Sequence, residues 1–173
     1  PFSLWGKDDL DRIAKGEVHQ GVISEVILPP LLTEDALFNS IENLTEKPLI
    51  LILDSIQDPR NLGACLRSAN AAGVSQVIIN KDGSAPINAL VHKTSAGAIN
   101  SLQIFHVTNL SRIIKSIQKK GIWVIGLDGD SPTKIYDVNL SDATAIVVGA
   151  EGKGIRQLIK QTCDQLITIP MSG

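Results

Sequence analysis

The 173 residues suffice for one ordinary domain with a small appendage. At 43% hydrophobic but only 3% aromatic, the core must be filled by Ile, Val, Leu and Ala, the composition of an α/β domain with a buried parallel sheet. Sixteen Lys and Arg against eighteen Asp and Glu leave a net charge of −2, which argues against nucleic-acid binding by bulk positive charge and assigns any such contact to a local patch or to a part of the protein beyond this chain.

No apolar run is long enough to span a membrane and no basic, apolar leader opens the chain, so a cytoplasmic protein without membrane contact is expected. Pro1 is not an initiator, and the start is read as a cut or processed end. Cys65 and Cys163 form no C-x-x-C pair and sit on apolar helical faces, so both are expected as buried free thiols.

Asp8–Lys15 reads as a short helix and Gly21–Leu28 as a strand. Residues 29–48 hold three prolines and four acidic residues around one weak helical stretch, the composition of a linker. Residues 1–28 are too few for a core of their own and read as the tail of a preceding domain.

From residue 49 the chain alternates strand and helix, so residues 49–173 read as the main domain. Leu49–Asp54 (LILILD) is a buried strand ending in an acidic residue. Asn61–Gly73 follows as a helix with Leu62, Cys65, Leu66 and Ala69 at core-facing spacing, Asn61 standing as its N-cap. Val77–Asn80 is a strand, Asn88–Asn100 a weaker helix interrupted by Gly97, and Leu102–Val107 a third strand. Asn109–Gly121 is the clearest helix: Asn109 caps it, Leu110, Ile113, Ile114 and Ile117 form its stripe, and Gly121 stops it. Ile122–Leu127 and Ala145–Gly149 are two more strands, Gly154–Cys163 a helix with Ile155, Leu158 and Ile159 inward, and Leu166–Pro170 a last strand. This alternation implies parallel pairing with helices on both faces.

Open α/β sheets bind ligands at the carboxyl ends of their strands. Those ends read DSIQDPRN (54–61), DGDS (128–131), GAEGKG (149–154) and MSG (171–173), polar and glycine-rich enough to let a backbone approach a flat ligand such as a nucleoside. Tight turns alone would also use such glycines. Neither a G-x-G-x-x-G fingerprint nor the Gly-Lys-Ser/Thr of a P-loop is present, so a ligand without phosphates, such as S-adenosylmethionine, fits best. Arg67 lies about 140° from the core face of its helix at 100° per residue. Its side chain leans toward the Asn61 end, where a guanidinium suits capture of a phosphate; an ordinary surface arginine is the alternative. Glu151 and Asp128 are acidic residues in strand-end loops, but no His stands near them and no metal is expected. His19, His92 and His106 are scattered and read as structural or surface residues, and Ser131 and Ser172 lack a G-x-S-x-G context.

Asn61-Leu62-Gly63-Ala64-Cys65-Leu66-Arg67-Ser68-Ala69 resembles the first motif, N-x-G-x-x-x-R, of the SpoU (TrmH-like) family of RNA 2′-O-ribose methyltransferases. Residues 147–154 (VVGAEGKG) resemble its second motif and Leu166–Met171 (LITIPM) the strand that follows. Gly16–Ile23 (GEVHQGVI) resembles the end of an RNA-binding domain that precedes the catalytic domain in some members.

The resemblance implies an α/β fold with a C-terminal trefoil knot and a homodimer whose sites draw on both subunits. It implies S-adenosylmethionine as cofactor, lined by Gly149, Ile169 and Met171 with Leu127 as a further contact. Asn61 and Glu151 would organise the site and Arg67 would act on the target ribose. The implied reaction is methylation of a ribose 2′-hydroxyl in RNA, with a guanosine of 23S ribosomal RNA as the first choice. A transfer-RNA ribose methyltransferase, or an inactive RNA-binding or ribosome-assembly protein of the same fold, is the alternative. The family's third motif, an S-x-N-V-S-x-A-like segment, would follow Gly173 and is expected in the intact protein.

Overall fold

The computed structural model describes residues 2–25, 30–43 and 46–171. Six strands form one parallel sheet: β1 (Leu49–Asp54), β2 (Gln76–Asn80), β3 (Gln103–Val107), β4 (Trp123–Leu127), β5 (Thr144–Gly149) and β6 (Gln165–Ile167), in the order β3-β2-β1-β5-β4-β6. The helices are α1 (Lys7–Ala14), α2 (Glu34–Glu42), α3 (Pro59–Ala71), α4 (Ala89–Thr94), α5 (Leu110–Gln118) and α6 (Gln157–Thr162). The α/β architecture expected from the alternation is the one observed.

Both faces of the sheet are covered, which is why its strands are almost continuously apolar. Ile50 and Ile52 of β1 point into a cluster with Phe105, the α5 stripe Leu110, Ile113, Ile114 and Ile117, and Ile155 and Ile159. Leu53 points the other way, into a cluster with Leu62, Leu66, Val91 and Ile99. Burying each such side chain stabilises the fold by about 1.5–3 kcal/mol before conformational entropy is counted. Asn109 caps α5 as expected, accepting from the Arg112 backbone N–H at 3.0 Å. Asn88 likewise caps α4, after which Gly97 in a left-handed conformation leads to a 3-10 turn at Ala98–Asn100.

Three expectations change. Helix α3 begins two residues before Asn61: Asp58 is the cap, accepting from Arg60 N at 2.6 Å, and Pro59 occupies the first turn, where its missing N–H costs nothing. Leu158 is 63% exposed, because α6 starts only at Gln157 and turns just Ile159 inward. Residues 21–25 form no strand, and the rest of the strand expected over Gly21–Leu28 lies outside the described residues. Within 29–48, α2 lays Leu37 and Ile41 into the core, and Leu32 bridges to Phe105 of β3. By contrast α1 buries no residue.

The cysteines are free and half-buried, and burial raises both thiols, Cys163 to about 11, so neither is a reactive thiolate. His19 bonds Asp11 at 2.9 Å, while His92 and His106 each leave Nε2 buried without a partner.

Candidate active site

All six strands run the same way, so their carboxyl ends share one edge. The helix after β1 packs on one face of the sheet and the helix after β5 on the other. Connections therefore diverge between these neighbouring strands and leave a crevice at their carboxyl ends. Asp54 and Gly149, paired in register, mark its floor.

After β1 the chain reverses at Ser55, a non-glycine residue at φ 62 held by its N–H to Asn80 Oδ1 at 2.8 Å. This turn delivers the start of α3 to the crevice. After β5, residues 150–154 close on themselves: Ala150 N donates to Gly154 O at 3.1 Å, Gly154 N to Ala150 O at 2.7 Å, and Lys153 N to Glu151 O at 2.9 Å. Gly152 and Gly154 adopt φ +74 and +65, conformations that favour glycine. Gly149 is required for a different reason: a Cβ there would stand 2.0 Å from the Gly154 carbonyl carbon and 2.2 Å from Ile155 N.

The two loops meet. Asn61 Nδ2 donates to Glu151 Oε2 at 2.8 Å across 90 residues of sequence. Released from capping, Asn61 thus fixes the carboxylate of the glycine loop. Leu127 ends β4 opposite Ile167 of β6, half-buried, and the chain continues to Ile169 and Met171, which are 45% and 82% exposed. The four residues expected around a cofactor therefore belong to the carboxyl ends of β5, β4 and β6. Ser172 and Gly173 lie outside the described residues.

Arg67 follows Asn61 on α3. It is exposed on α3, about 9 Å along the axis and about 120° around the helix from Asn61, and makes no side-chain hydrogen bond or ion pair among the described residues.

Three features went unread in the sequence. Asp54 is fully buried and accepts two hydrogen bonds from Arg156, from backbone N at 2.8 Å and Nε at 2.7 Å, with Nη2 ion-paired to Oδ1 at 2.7 Å. The acidic end of an apolar strand was the available signal for it. Lys160 Nζ lies 2.7 Å from Asp128 Oδ2, and that hydrogen bond holds the Asp128 carboxyl below its ordinary value of 3.8. Finally, residues 128–135 enclose the end of β6: Asp128 N donates to Ile167 O at 2.8 Å, Thr168 N to Thr133 O at 2.8 Å, Ile135 N to Thr168 O at 2.9 Å, and Ser131 Oγ to Leu166 O at 2.8 Å.

Other hollows lie away from this edge. One of about 530 Å³, lined by Trp123, Asn139, Thr144 and Gln165, opens at the amino ends of β4, β5 and β6. Another of about 680 Å³ opens beside Ser75 and Gln103. Among the described residues no group of three or more His, Cys, Asp or Glu side chains could hold a metal ion, and no helix is long and apolar enough to cross a membrane.

Residues 48–173 match the model of the SpoU rRNA Methylase family. The chain is 46% identical over 168 residues to the 23S rRNA (guanosine-2'-O-)-methyltransferase RlmB of Haemophilus ducreyi, covering 96% of this chain and 68% of that protein. It is 48% identical over 164 residues to the RlmB of Vibrio cholerae, covering 95% of this chain and 66% of that protein. The chain thus spans about two thirds of the length of these relatives. Its fold is that of the SpoU methyltransferase AviRb from Streptomyces viridochromogenes, solved in complex with AdoMet: TM-score 0.73 at 23% identity, covering 83% of this chain and 57% of that one.

Proposed function

The chain belongs to the SpoU rRNA methylase family, and from that premise we propose that it transfers the methyl group of S-adenosylmethionine to the 2′-hydroxyl of a guanosine ribose in 23S ribosomal RNA. The hydrogen bond from Asn61 to Glu151 carries the reading, because it joins the two family motifs at the carboxyl edge of the sheet. The identity to the two RlmB proteins supports the choice of RNA.

The residues at the edge suit the cofactor. Leu127, Ile169 and Met171 leave apolar surface that an adenine ring can cover, and Gly149, Gly152 and Gly154 put no side chain in its way. The sulfonium supplies an already electrophilic methyl group. The protein's task is then alignment and removal of the ribose proton. Asn61 holds the Glu151 carboxylate in one orientation, so the loop beside Gly149 keeps its shape while RNA arrives.

Arg67 binds and polarises rather than acting as a free base, since a guanidinium gives up a proton only at great cost. Its planar fork suits a ribose oxygen and the adjoining phosphate together. Its exposure on α3 leaves it free for RNA and for a second protomer. We take the active form as a cytoplasmic homodimer in which one protomer completes the site of the other. The enclosure of β6 by residues 128–135 supports a knotted C-terminus. We read residues 49–173 as the catalytic domain, 29–48 as the connection to it, and 1–28 as the end of an RNA-binding domain.

The test is incubation of the full-length protein with methyl-labelled S-adenosylmethionine and 23S RNA from cells lacking the enzyme. One methyl per RNA is expected, at a guanosine whose 3′ linkage becomes resistant to alkali because the 2′-oxygen is blocked. Label on a base, or none, removes the proposal.

A further inference from the structure

We propose that Asp54 and Arg156 form a positioning pair that sets the glycine loop of the methyl-transfer site, and that neither touches the reacting atoms. The inference rests on the reading of that loop as the cofactor's. Asp54 holds both stems of the loop at once. Its backbone pairs in register with Gly149, where the loop leaves β5. Its side chain accepts from the backbone N–H of Arg156, where the loop returns, at 2.8 Å to Oδ2. The Arg156 guanidinium adds Nε and Nη2 to Oδ1, each at 2.7 Å, and Ser55 Oγ donates to the same oxygen at 3.2 Å.

A carboxylate with no exposed surface is costly to bury without such donors, and a strand end in an apolar sheet has no structural need of one. What the arrangement provides is a fixed loop. Ile155, 2% exposed, is plugged into the core between the loop and Arg156, so any movement of Arg156 passes directly to Gly154 and to its two bonds with Ala150. Glu151, two residues from Gly149, then meets Asn61 only while both stems stay in place. The guanidinium is half-exposed, so removing it leaves no large void, and the backbone bond of Arg156 to Asp54 survives. That makes Arg156 the residue to vary.

The experiment compares wild type, Arg156→Ala and Arg156→Lys in the full-length protein by four measurements. These are thermal unfolding, amide hydrogen exchange of the peptide spanning 149–156, the dissociation constant of S-adenosylmethionine by calorimetry, and that of a 23S RNA fragment. Arg156→Ala is expected to fold, to exchange its loop amides at least tenfold faster, and to bind S-adenosylmethionine about tenfold more weakly, with RNA affinity within twofold. Arg156→Lys, which keeps a cation beside Asp54, should recover part of both losses. Unchanged loop exchange in Arg156→Ala overturns the pair as a positioning device. Faster exchange with unchanged cofactor affinity overturns its service to the site, and loss of RNA affinity alone makes Arg156 an RNA contact instead. If the wild-type protein binds no S-adenosylmethionine, the reading of the site fails, while the exchange data still judge the clamp.

Discussion

Gly149→Ala is the substitution that tests the site most directly. A Cβ at residue 149 would stand 2.0 Å from the carbonyl carbon of Gly154, 2.2 Å from its oxygen and 2.2 Å from Ile155 N. Carbon atoms rest at about 3.5 Å or more, so the returning stem must retreat by about 1.5 Å. Backbone cannot rotate out of the way as a flexible side chain can. That displacement breaks the two bonds between Ala150 and Gly154 and the one from Arg156 N to Asp54. At about 1 kcal/mol each the loss is about 3 kcal/mol, equivalent to roughly a hundredfold weaker binding of any ligand that needs the closed loop. Gly152→Ala is the matched control: its φ is +74, yet an added Cβ meets nothing within 4 Å, so only about 1–2 kcal/mol of backbone strain is incurred. Calorimetric titration with S-adenosylmethionine and urea unfolding of both variants give the comparison. A Gly149→Ala protein that binds the cofactor within twofold of wild type, or that outperforms Gly152→Ala, would refute the steric argument.

Gly63→Ala places a Cβ 1.8 Å from Thr94 Oγ1 and 3.0 Å from Val91 O, so α3 and α4 must separate. Urea unfolding should show about 1–3 kcal/mol of destabilisation, partly recovered by adding Thr94→Ala. Arg67→Lys keeps the charge but loses the planar fork, and turnover at saturating RNA should fall at least tenfold; unchanged turnover removes the need for a guanidinium. Because the Lys160 hydrogen bond depresses the Asp128 carboxyl, its stabilising effect is present above the unfolded value of 3.8 and disappears as pH falls through the lower folded value. The stability gap between wild type and Asp128→Asn should therefore be constant above ~pH 5 and close below pH 3.8, as read by urea melts across that range.

The strands and the α5 stripe were legible because burial on both faces writes apolar runs, and a single buried face writes a 3.6-residue period. Helix α2 read only as a weak helical stretch between flanking prolines, since Leu37 and Ile41 acquire meaning only once Phe105 lies beneath them. Leu158 was misplaced because the pattern does not reveal that Asp54 captures Arg156 and delays the start of α6. Asn61 looked like a cap because Asn commonly is one; Asp58-Pro59 is the stronger start, and it leaves Asn61 available for Glu151. The site's membership came from the motif resemblance. Its geometry did not, because pairs separated by 90 and 102 residues leave no local periodicity to read.

The enclosure of β6 by residues 128–135 bears on how the molecule resists mechanical loss of its end. A three-residue edge strand bonded to one neighbour would ordinarily peel away, one ladder bond at a time. Here Thr168 is bonded twice to one neighbouring segment, its N–H donating to Thr133 O and its C=O accepting from Ile135 N, so a pull from the direction of Met171 loads these bonds in shear together. Release then demands opening of the whole 128–135 segment, and β6 should detach late and slowly when the chain is drawn from the side of Met171.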